Sequence, residues 1–248
     1  MLDINEIYQG DCLEVMKDID YKSIDMILCD LPYGTTACNW DVIIPFEPLW
    51  EQYERIIKDN GSIVLTASQP FTSALIMSNI NIFRYELIWE KNIATGFLDA
   101  RRKPMKIHEN ILVFSKNRSI YNPQMRKGAP YICIRKGRIG GESITADKKI
   151  INKPYTTINE GGRFPVSVIK INTERGYHPT QKPVALFEYL IKTYTNENNL
   201  VLDNCAGSGT TGVACKNLNR NYILVEQEEK YCKIAEKRIK NTNQFSDW

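Results

Sequence analysis

The stretch LVLDNCAGSGTTG at residues 200–212 decides the fold that we predict for this chain. It begins as an apolar strand that ends at Asp203, continues as a loop of small residues with Gly207 and Gly209, and opens a helix near Thr210. Glycines permit positive φ and let a ligand come close to the backbone. The first turn of a helix also offers unpaired N–H groups to an anionic ligand group. The pattern therefore predicts a ligand site between a strand and a helix of an α/β domain.

A second carboxylate follows at a distance that suits this site. The next apolar run, YILV, ends at Glu226, 23 residues after Asp203, where an acid can bind ribose hydroxyls. The loop matches neither GxGxxG nor GxxxxGK[ST], which argues against dinucleotide and P-loop sites. A glycine-rich turn by itself is also typical of a purely structural connection. The two strands, two acids and GSGTT loop together favour a nucleoside cofactor.

The pentapeptide DLPYG at residues 30–34 directly follows the apolar run MILC. Asp, Pro and Gly are ordinary turn residues, so one interpretation is a strand that runs into a turn. The other is an active site, because carboxylate, stiff corner and aromatic ring stand together at the end of a buried strand. The pentapeptide alone does not decide between them. Both DLPYG and GSGTT lie where strands meet loops, the edge of an α/β sheet at which ligands bind.

Strand-like and helix-like segments alternate along most of the chain. We predict strands at residues 24–29, 62–66, 86–89, 111–114, 200–203 and 222–225, and helices at 46–58, 68–77, 183–194, from about 211, and at 228–240. This alternation predicts an α/β fold with a mostly parallel, twisted sheet that helices cover on both faces. The segment 117–175 breaks the rhythm and is predicted to be an insertion.

Composition excludes several classes of protein. The chain has 248 residues, 43% hydrophobic and 25% charged, and lacks an apolar run long enough to cross a bilayer. The start MLDINEIYQGD is acidic and does not resemble a signal peptide. Seven cysteines form no CxxC pair, and there are two histidines, His108 and His178. We therefore expect a cytoplasmic protein with reduced thiols and no metal site.

The net charge of +3 hides a strongly basic block. Residues 116–175 contain thirteen Lys or Arg and four Asp or Glu, a net charge of +9, so the rest of the chain carries −6. The block also holds tyrosines and repeated Gly and Pro. One interpretation is a solvated, loop-rich insertion; the one we favour is a surface that binds a polyanion such as nucleic acid.

The motifs together resemble those of amino-group DNA methyltransferases. DLPYG is similar to their DPPY motif, and DNCAGSGTT is similar to their S-adenosylmethionine loop. GDCLEV at 10–15 and HPTQKP at 178–183 look like two further motifs of this family, so the resemblance covers nearly the whole chain. The catalytic motif precedes the cofactor loop, with a variable region between them, as in the beta-type members.

This resemblance implies a three-layer, Rossmann-like methyltransferase fold with an inserted target-recognition region. Residues 1–116 would form the catalytic half, 117–175 the basic target-recognition insertion, and 176–248 the cofactor-binding half of the same domain. The expected partner is double-stranded DNA. A homodimer and a partner restriction nuclease remain open.

The expected reaction is methyl transfer from S-adenosylmethionine to N6 of a flipped adenine. The lone pair of such an amino group is delocalised into the ring, so two acceptors must hold its hydrogens: the Asp30 carboxylate and the backbone carbonyl of Leu31. Pro32 would stiffen this corner and Tyr33 would stack on the base. A paired base must first leave the duplex. The loop 34–41 closing over the base is a further hypothesis.

The resemblance also assigns cofactor contacts: Asp11 to the adenine amino group, Glu226 to the ribose, and Asp203 with the 206–210 loop to the methionine end. Thr180 and Lys182 would lie near the methionine carboxylate. The full expected set is Asp11, Cys12, Asp30, Thr180, Lys182, Asp203, Ala206, Gly207, Ser208, Gly209, Thr210 and Glu226. Without the resemblance, Asp11 is better interpreted as a turn acid and Lys182 as a solvated lysine. WEKN at 89–92 and ARRKPMK at 100–106 either line the DNA cleft or form a solvated loop.

Two departures and several alternatives accompany this prediction. Leu31 stands where the family usually has Pro, and Asn204 with Cys205 replaces Pro-Phe before the glycines. The main alternative substrate is N4 of cytosine, although cytosine enzymes of this family more often have Ser where Asp30 stands. A protein-glutamine methyltransferase has its two motifs in the opposite order. RNA as substrate and a non-catalytic DNA-binding protein are further alternatives.

Overall fold

The computed structural model describes residues 2–34, 41–135, 154–174, 176–177 and 181–242. The chain divides into a larger unit, residues 1–122 with 166–248, and a smaller unit, residues 123–165. In the larger unit the strands are β1 Glu6–Gln9, β2 Ile24–Asp30, β3 Ile57–Ala67, β4 Phe83–Thr95, β5 Lys106–Phe114, β10 Val168–Lys170, β11 Leu200–Asp203 and β12 Asn221–Glu226. Its α-helices are α1 Cys12–Met16, α2 Phe46–Ile56, α3 Phe71–Ser78, α4 Val184–Tyr194, α5 Thr210–Asn217 and α6 Glu229–Lys240.

The eight strands of the larger unit form one sheet in the order β1-β12-β11-β2-β3-β5-β4-β10. The first five strands in this order are parallel, β5 is antiparallel to β3 and to β4, and β10 is parallel to β4. The carboxyl ends of β1, β12, β11, β2 and β3 therefore meet at one edge. The turn from β4 to β5 lies at the same edge, because β5 is antiparallel to both β3 and β4, so β4 runs in the same direction as β3.

Strand β2 shows why the sheet has helices on both faces. Its residues alternate between two cores: Ile27 and Cys29 pack with buried side chains of α2, and Met26 and Leu28 pack with those of α4. A strand buried on both sides reads as a continuous apolar run, as in IDMILC. The helices α1 to α3 contribute to the first core and α4 to α6 to the second, which gives a three-layer fold.

The smaller unit contains two short antiparallel ribbons. One pairs β6 Arg126–Lys127 with β9 Gly162–Arg163, and the other pairs β7 Tyr131–Arg135 with β8 Tyr155–Asn159. The second ribbon exposes Ile132, Ile134 and Ile158.

The predicted α/β fold with a mostly parallel sheet is confirmed, with corrections to single elements. The helix predicted at 46–58 ends at Ile56, where the chain turns to extended φ and ψ and enters β3. The helix predicted at 68–77 begins at Phe71, after Pro70. The strands β1 and β10 and the helix α1 were not predicted, since each is too short to show a period. In the described part of the chain, no helix is long and apolar enough to cross a membrane.

Candidate active site

Four acids stand at the shared edge of the parallel strands. Asp11 follows β1, Glu226 ends β12, Asp203 ends β11 and Asp30 ends β2. The registers place Gln9 beside Glu226 and Asp30 beside Thr66. The two motifs predicted from sequence, DLPYG and GSGTT, therefore lie at one edge of one sheet.

Asp30 is surrounded by donors in this structure. Its Oδ1 accepts the Tyr33 hydroxyl at 2.7 Å and the hydroxyl of Thr66, and its Oδ2 accepts the Lys182 ammonium group at 2.5 Å. Lys182 is only 6% exposed, although lysines are rarely buried without a partner. The DLPYG motif thus holds its carboxylate between two hydroxyls and a buried cation.

The Lys182 cation belongs to a longer ion network. Glu109 on β5 lies 3.3 Å from Lys182 through Oε2 and is also paired with Lys91 on β4. Burial disfavours the ionised form of Glu109, but the two lysines outweigh burial and lower its pKa. Burial also disfavours the charged Lys182, yet Asp30 and Glu109 outweigh it and raise the pKa of this lysine. Both shifts favour the charged forms, so Glu109 and Lys182 stabilise each other as an ion pair.

The corner after Asp30 is anchored by its own side chains. Leu31 is buried in the core, and the Tyr33 ring lies 5.4 Å from that of Phe71. The N–H of Gly34, which has φ of +66°, donates to Asp41 Oδ1 at 2.9 Å. The backbone that presents Asp30 and Tyr33 is thus held from both sides. Residues 35–40 of the predicted closing loop lie outside the described residues.

The GSGTT loop depends on two glycines for different reasons. Gly209 has φ of +76°, and a Cβ there would lie 2.6 Å from Ala235 Cβ of α6, so only glycine allows the close packing. Gly207 has φ of +52°, and nothing lies within 4 Å of the position that its Cβ would take. Its N–H donates to Glu226 Oε2 at 2.7 Å. The loop is closed towards α6 and open at Gly207, where a ligand can reach the backbone.

Asp203 braces this loop from below. Oδ1 accepts the Cys205 N–H at 3.1 Å and Oδ2 accepts the hydroxyl of Thr211. Burial raises the pKa of Asp203 to about 7, although its two donors act in the opposite direction. Asp203 is almost completely buried, and both of these hydrogen bonds hold the backbone or side chains of the loop.

Arg238 of α6 fastens the outer side of the loop. Its Nη1 donates to Thr210 Oγ1 at 3.0 Å and to Ser208 Oγ at 3.3 Å, and its Nη2 donates to Glu174 Oε1 at 3.2 Å. Glu174 in turn accepts the N–H of Val184, the first residue of α4. Ala206 donates its N–H to the Val225 carbonyl at 2.9 Å. Every residue of the predicted loop therefore has a fixed place.

The remaining predicted residues have different settings. Asp11 is exposed and caps α1 by accepting the N–H groups of Leu13 and Glu14 at 2.8 and 3.3 Å, which is the turn role that sequence alone favours. Cys12 is half-buried, and its contact with the Cys205 thiol raises its pKa. Thr180 lies outside the described residues. The six described cysteines form no disulfide, and no cluster of metal ligands occurs among the described residues.

Several residues of this candidate site were not identified from the sequence. Glu109 is the most important, because it connects Lys182 with Lys91. Glu109 lies on the same face of β5 as Ile111 and Val113, both of which are completely or almost completely buried. A carboxylate in register with two buried aliphatic residues was the signal that could have identified it. Thr66 and Arg238 carried no such signal.

The residues at this edge fit a nucleoside cofactor with a charged amino-acid end. Glu226 and Asp11 supply carboxylates at the ends of adjacent strands, and the open backbone at Gly207 lies between them and Asp30 along the sheet. A three-layer α/β fold with this loop and a strand ending in DLPY defines an amino-group methyltransferase.

Comparison with known proteins identifies the family. A family model described as DNA methylase, for the N6 and N4 enzymes, matches residues 24–237, and the chain belongs to this family. The chain is 45% identical over 268 residues to the Type II methyltransferase M2.DpnII of Streptococcus pneumoniae, and the alignment covers 96% of this chain and 90% of that protein. It is 28% identical over 259 residues to the Type II methyltransferase M1.MboII of Moraxella bovis, with 95% and 96% covered.

A solved structure agrees with these relatives. The complex of M1.HpyAVI with SAM covers 94% of this chain and 98% of that chain, with 28% identity and a TM-score of 0.63. The predicted family, the methyltransferase fold, the enzyme class and the S-adenosylmethionine cofactor are confirmed. The roles of single residues and the division at 116/117 and 175/176 stay predictions.

Proposed function

We propose that the chain transfers a methyl group from S-adenosylmethionine to N6 of an adenine flipped out of double-stranded DNA. One observation carries the proposal: a carboxylate, Asp30, is held by a buried lysine beside an aromatic ring, at the same edge as the GSGTT loop. The Asp in DLPYG favours adenine over cytosine. The relatives' designation as Type II methyltransferases supports DNA as substrate and a restriction nuclease as partner.

The chemistry follows from the surroundings of Asp30. Lys182 and the Thr66 hydroxyl hold the carboxylate in a fixed position, so it can accept a hydrogen bond from the base amino group and localise the nitrogen lone pair. The amino group takes over the position that the Tyr33 hydroxyl holds at Oδ1, and the freed ring stacks on the base. The cofactor supplies an electrophilic methyl group. The amino proton leaves towards Asp30, and no covalent enzyme intermediate forms.

The cofactor is held by the loop and its flanking acids in this proposal. The Gly207 backbone and the Glu226 carboxylate bind the ribose side, and Asp11 binds the adenine amino group. Lys182 already contacts two carboxylates, so we assign it first to Asp30 and only secondarily to the methionine carboxylate. The basic segment 117–175 reads the target sequence, and a homodimer remains a prediction.

The test uses purified protein, methyl-labelled S-adenosylmethionine and unmethylated genomic DNA, with digested nucleosides separated by mass spectrometry. N6-methyladenine is expected from the wild type and from Asp59→Ala, a matched surface carboxylate, but not from Asp30→Ala. N4-methylcytosine would keep the mechanism and overturn the base. No methylated base despite bound cofactor would overturn DNA as the substrate.

A further inference from the structure

The turn between β4 and β5 exposes apolar side chains without a partner in the described structure. In this turn, residues 96–105, Phe97 is 77% exposed and Leu98 completely exposed, and Met105 is exposed as well. Scattered exposed hydrophobic residues are normal, but a fully exposed leucine next to an exposed phenylalanine at one tip is a local apolar patch. None of the proposed contacts to the base or the cofactor involves residues of this tip.

The tip projects past the edge that carries the active site. Asn110 on β5 pairs with Ala67, one residue beyond the Thr66 that contacts Asp30. Strand β5 continues outwards for four residues to Lys106, which pairs with Thr95. Four residues of strand extend roughly 13 Å, which exceeds the roughly 8 Å depth of a DNA groove. The tip can therefore enter a groove while Asp30 stays outside the duplex.

The tip is an ordered turn. Gly96 has φ of +89°, Phe97–Asp99 form one turn of 3-10 helix, and the Asp99 carbonyl accepts the N–H groups of Arg102 and Lys103 at 2.8 and 3.1 Å. The Asp99 side chain also pairs with Lys103 at 3.5 Å. Phe97 and Leu98 are thus presented by a defined backbone.

The charge of the tip selects the partner. Residues 96–106 contain Arg101, Arg102, Lys103 and Lys106 against the single acid Asp99. Basic side chains can bind phosphate groups, and the apolar tip between them can contact stacked bases. DNA offers both, since its stacked base pairs lie between two phosphate chains.

We propose that Phe97 and Leu98 form a wedge that enters the DNA beside the target base and helps to extrude it, while Arg101, Arg102 and Lys103 bind the flanking phosphates. This inference rests on the proposed function, since the wedge is assigned to extruding the base that the enzyme would methylate. Apolar wedges unstack base steps, which lowers the remaining cost of flipping.

The experiment compares two duplexes that carry the recognition site mapped by sequencing of methylated DNA. In one the target base is paired, and in the other it faces an abasic site. Leu98→Ala and Phe97→Ala should lower the methylation rate of the paired duplex about tenfold, equivalent to about 1.4 kcal/mol. On the abasic duplex they should stay within about threefold of the wild type, because an unpaired base costs least to extrude.

Controls separate this outcome from others. Met77→Ala removes another largely exposed apolar side chain, which lies on α3, and should leave both rates unchanged. The double variant Arg101→Gln/Arg102→Gln should weaken binding to both duplexes and reduce the salt dependence. Equal loss on both duplexes, no loss on either, or a changed oligomeric state of Leu98→Ala would overturn the wedge. Wild-type activity in the same assay tests the proposed function independently.

Discussion

The DLPYG motif and the GSGTT loop each follow a strand that ends in an aspartate, but the two aspartates have different partners. Asp30 and Asp203 each end a buried parallel strand, β2 and β11, which are neighbours in the sheet. Asp30 is paired with the ammonium group of Lys182. The donors to Asp203 are neutral, namely the Thr211 hydroxyl, the Cys205 N–H and the Cys29 thiol, and burial raises its pKa to about 7.

The difference teaches how one residue type serves two purposes. A buried carboxylate next to a cation stays ionised and can accept a hydrogen from a substrate. A buried carboxylate without a cation gains little from ionisation and acts as a hydrogen-bond acceptor for its own loop. Strongly perturbed acids are often taken as catalytic, but the hydrogen bonds of Asp203 in this structure go to its own loop.

The same substitution at both aspartates tests this contrast. Asp30→Asn keeps the size of the side chain but removes the charge that Lys182 holds and the acceptor that the amino group needs. We expect the methyl-transfer rate to fall about 10³- to 10⁴-fold, equivalent to about 4–5 kcal/mol, in single-turnover assays. Cofactor affinity measured by calorimetry should change little. A variant that keeps a tenth of the wild-type rate would contradict the role of Asp30.

Glu109→Gln tests whether the ion network supports the corner. It leaves Lys91 and Lys182 with one carboxylate, Asp30, between them, and breaking a buried ion pair costs about 3 kcal/mol. We expect this loss in the free energy of urea unfolding. Glu229→Gln breaks the exposed pair with Lys233 and should cost below about 0.5 kcal/mol. Similar costs for the two variants would show that the network is not effectively buried.

Gly209→Ala tests the packing of the cofactor loop. Positive φ costs an alanine about 1 kcal/mol, and the contact with Ala235 adds about 1 kcal/mol or more of overpacking. Gly207→Ala is the matched control, because it shares the positive φ but meets no atom within 4 Å. The free energies of unfolding should therefore differ by about 1 kcal/mol between the two variants. Equal values would mean that α6 moves aside without cost.

These contrasts also mark what the sequence could predict. The strands 200–203 and 222–225 and the positions of Asp30, Asp203 and Glu226 followed from apolar runs that end in acids, since local pattern determines where a strand ends. The GSGTT loop followed from its glycines. In each case the signal lay within a few consecutive residues.

The ion network could not be predicted in the same way. Lys182 pairs with Asp30 across 152 residues of chain, and with Glu109 on a strand that is antiparallel to its neighbours. Sequence alone favoured a solvated lysine for Lys182, because burial of a lysine depends on partners that only the fold brings together. The exposure of Phe97 and Leu98 is likewise a property of the folded hairpin.

Asp203→Asn completes the comparison with Asp30→Asn through the pH dependence of stability. Because the pKa of Asp203 is raised on folding, the folded chain binds this proton more tightly than the unfolded chain does. The corresponding stability is fully present below pH about 4 and is lost as the pH rises through about 7. The wild type should therefore lose about 1 kcal/mol per pH unit between pH about 5 and 7 relative to Asp203→Asn.

Urea unfolding of both proteins at several pH values measures this slope directly. An asparagine can accept the Cys205 N–H and meet the Thr211 hydroxyl with its amide, so the variant should fold and match the wild type near pH about 4. Asp59→Asn, at an exposed carboxylate, should run parallel to the wild type. If Asp203→Asn also runs parallel, Asp203 is ionised without cost, and the two aspartates do not differ in charge. A slope that disappears with Asp203→Asn and stays with Asp59→Asn shows that burial in the loop opposes ionisation of Asp203.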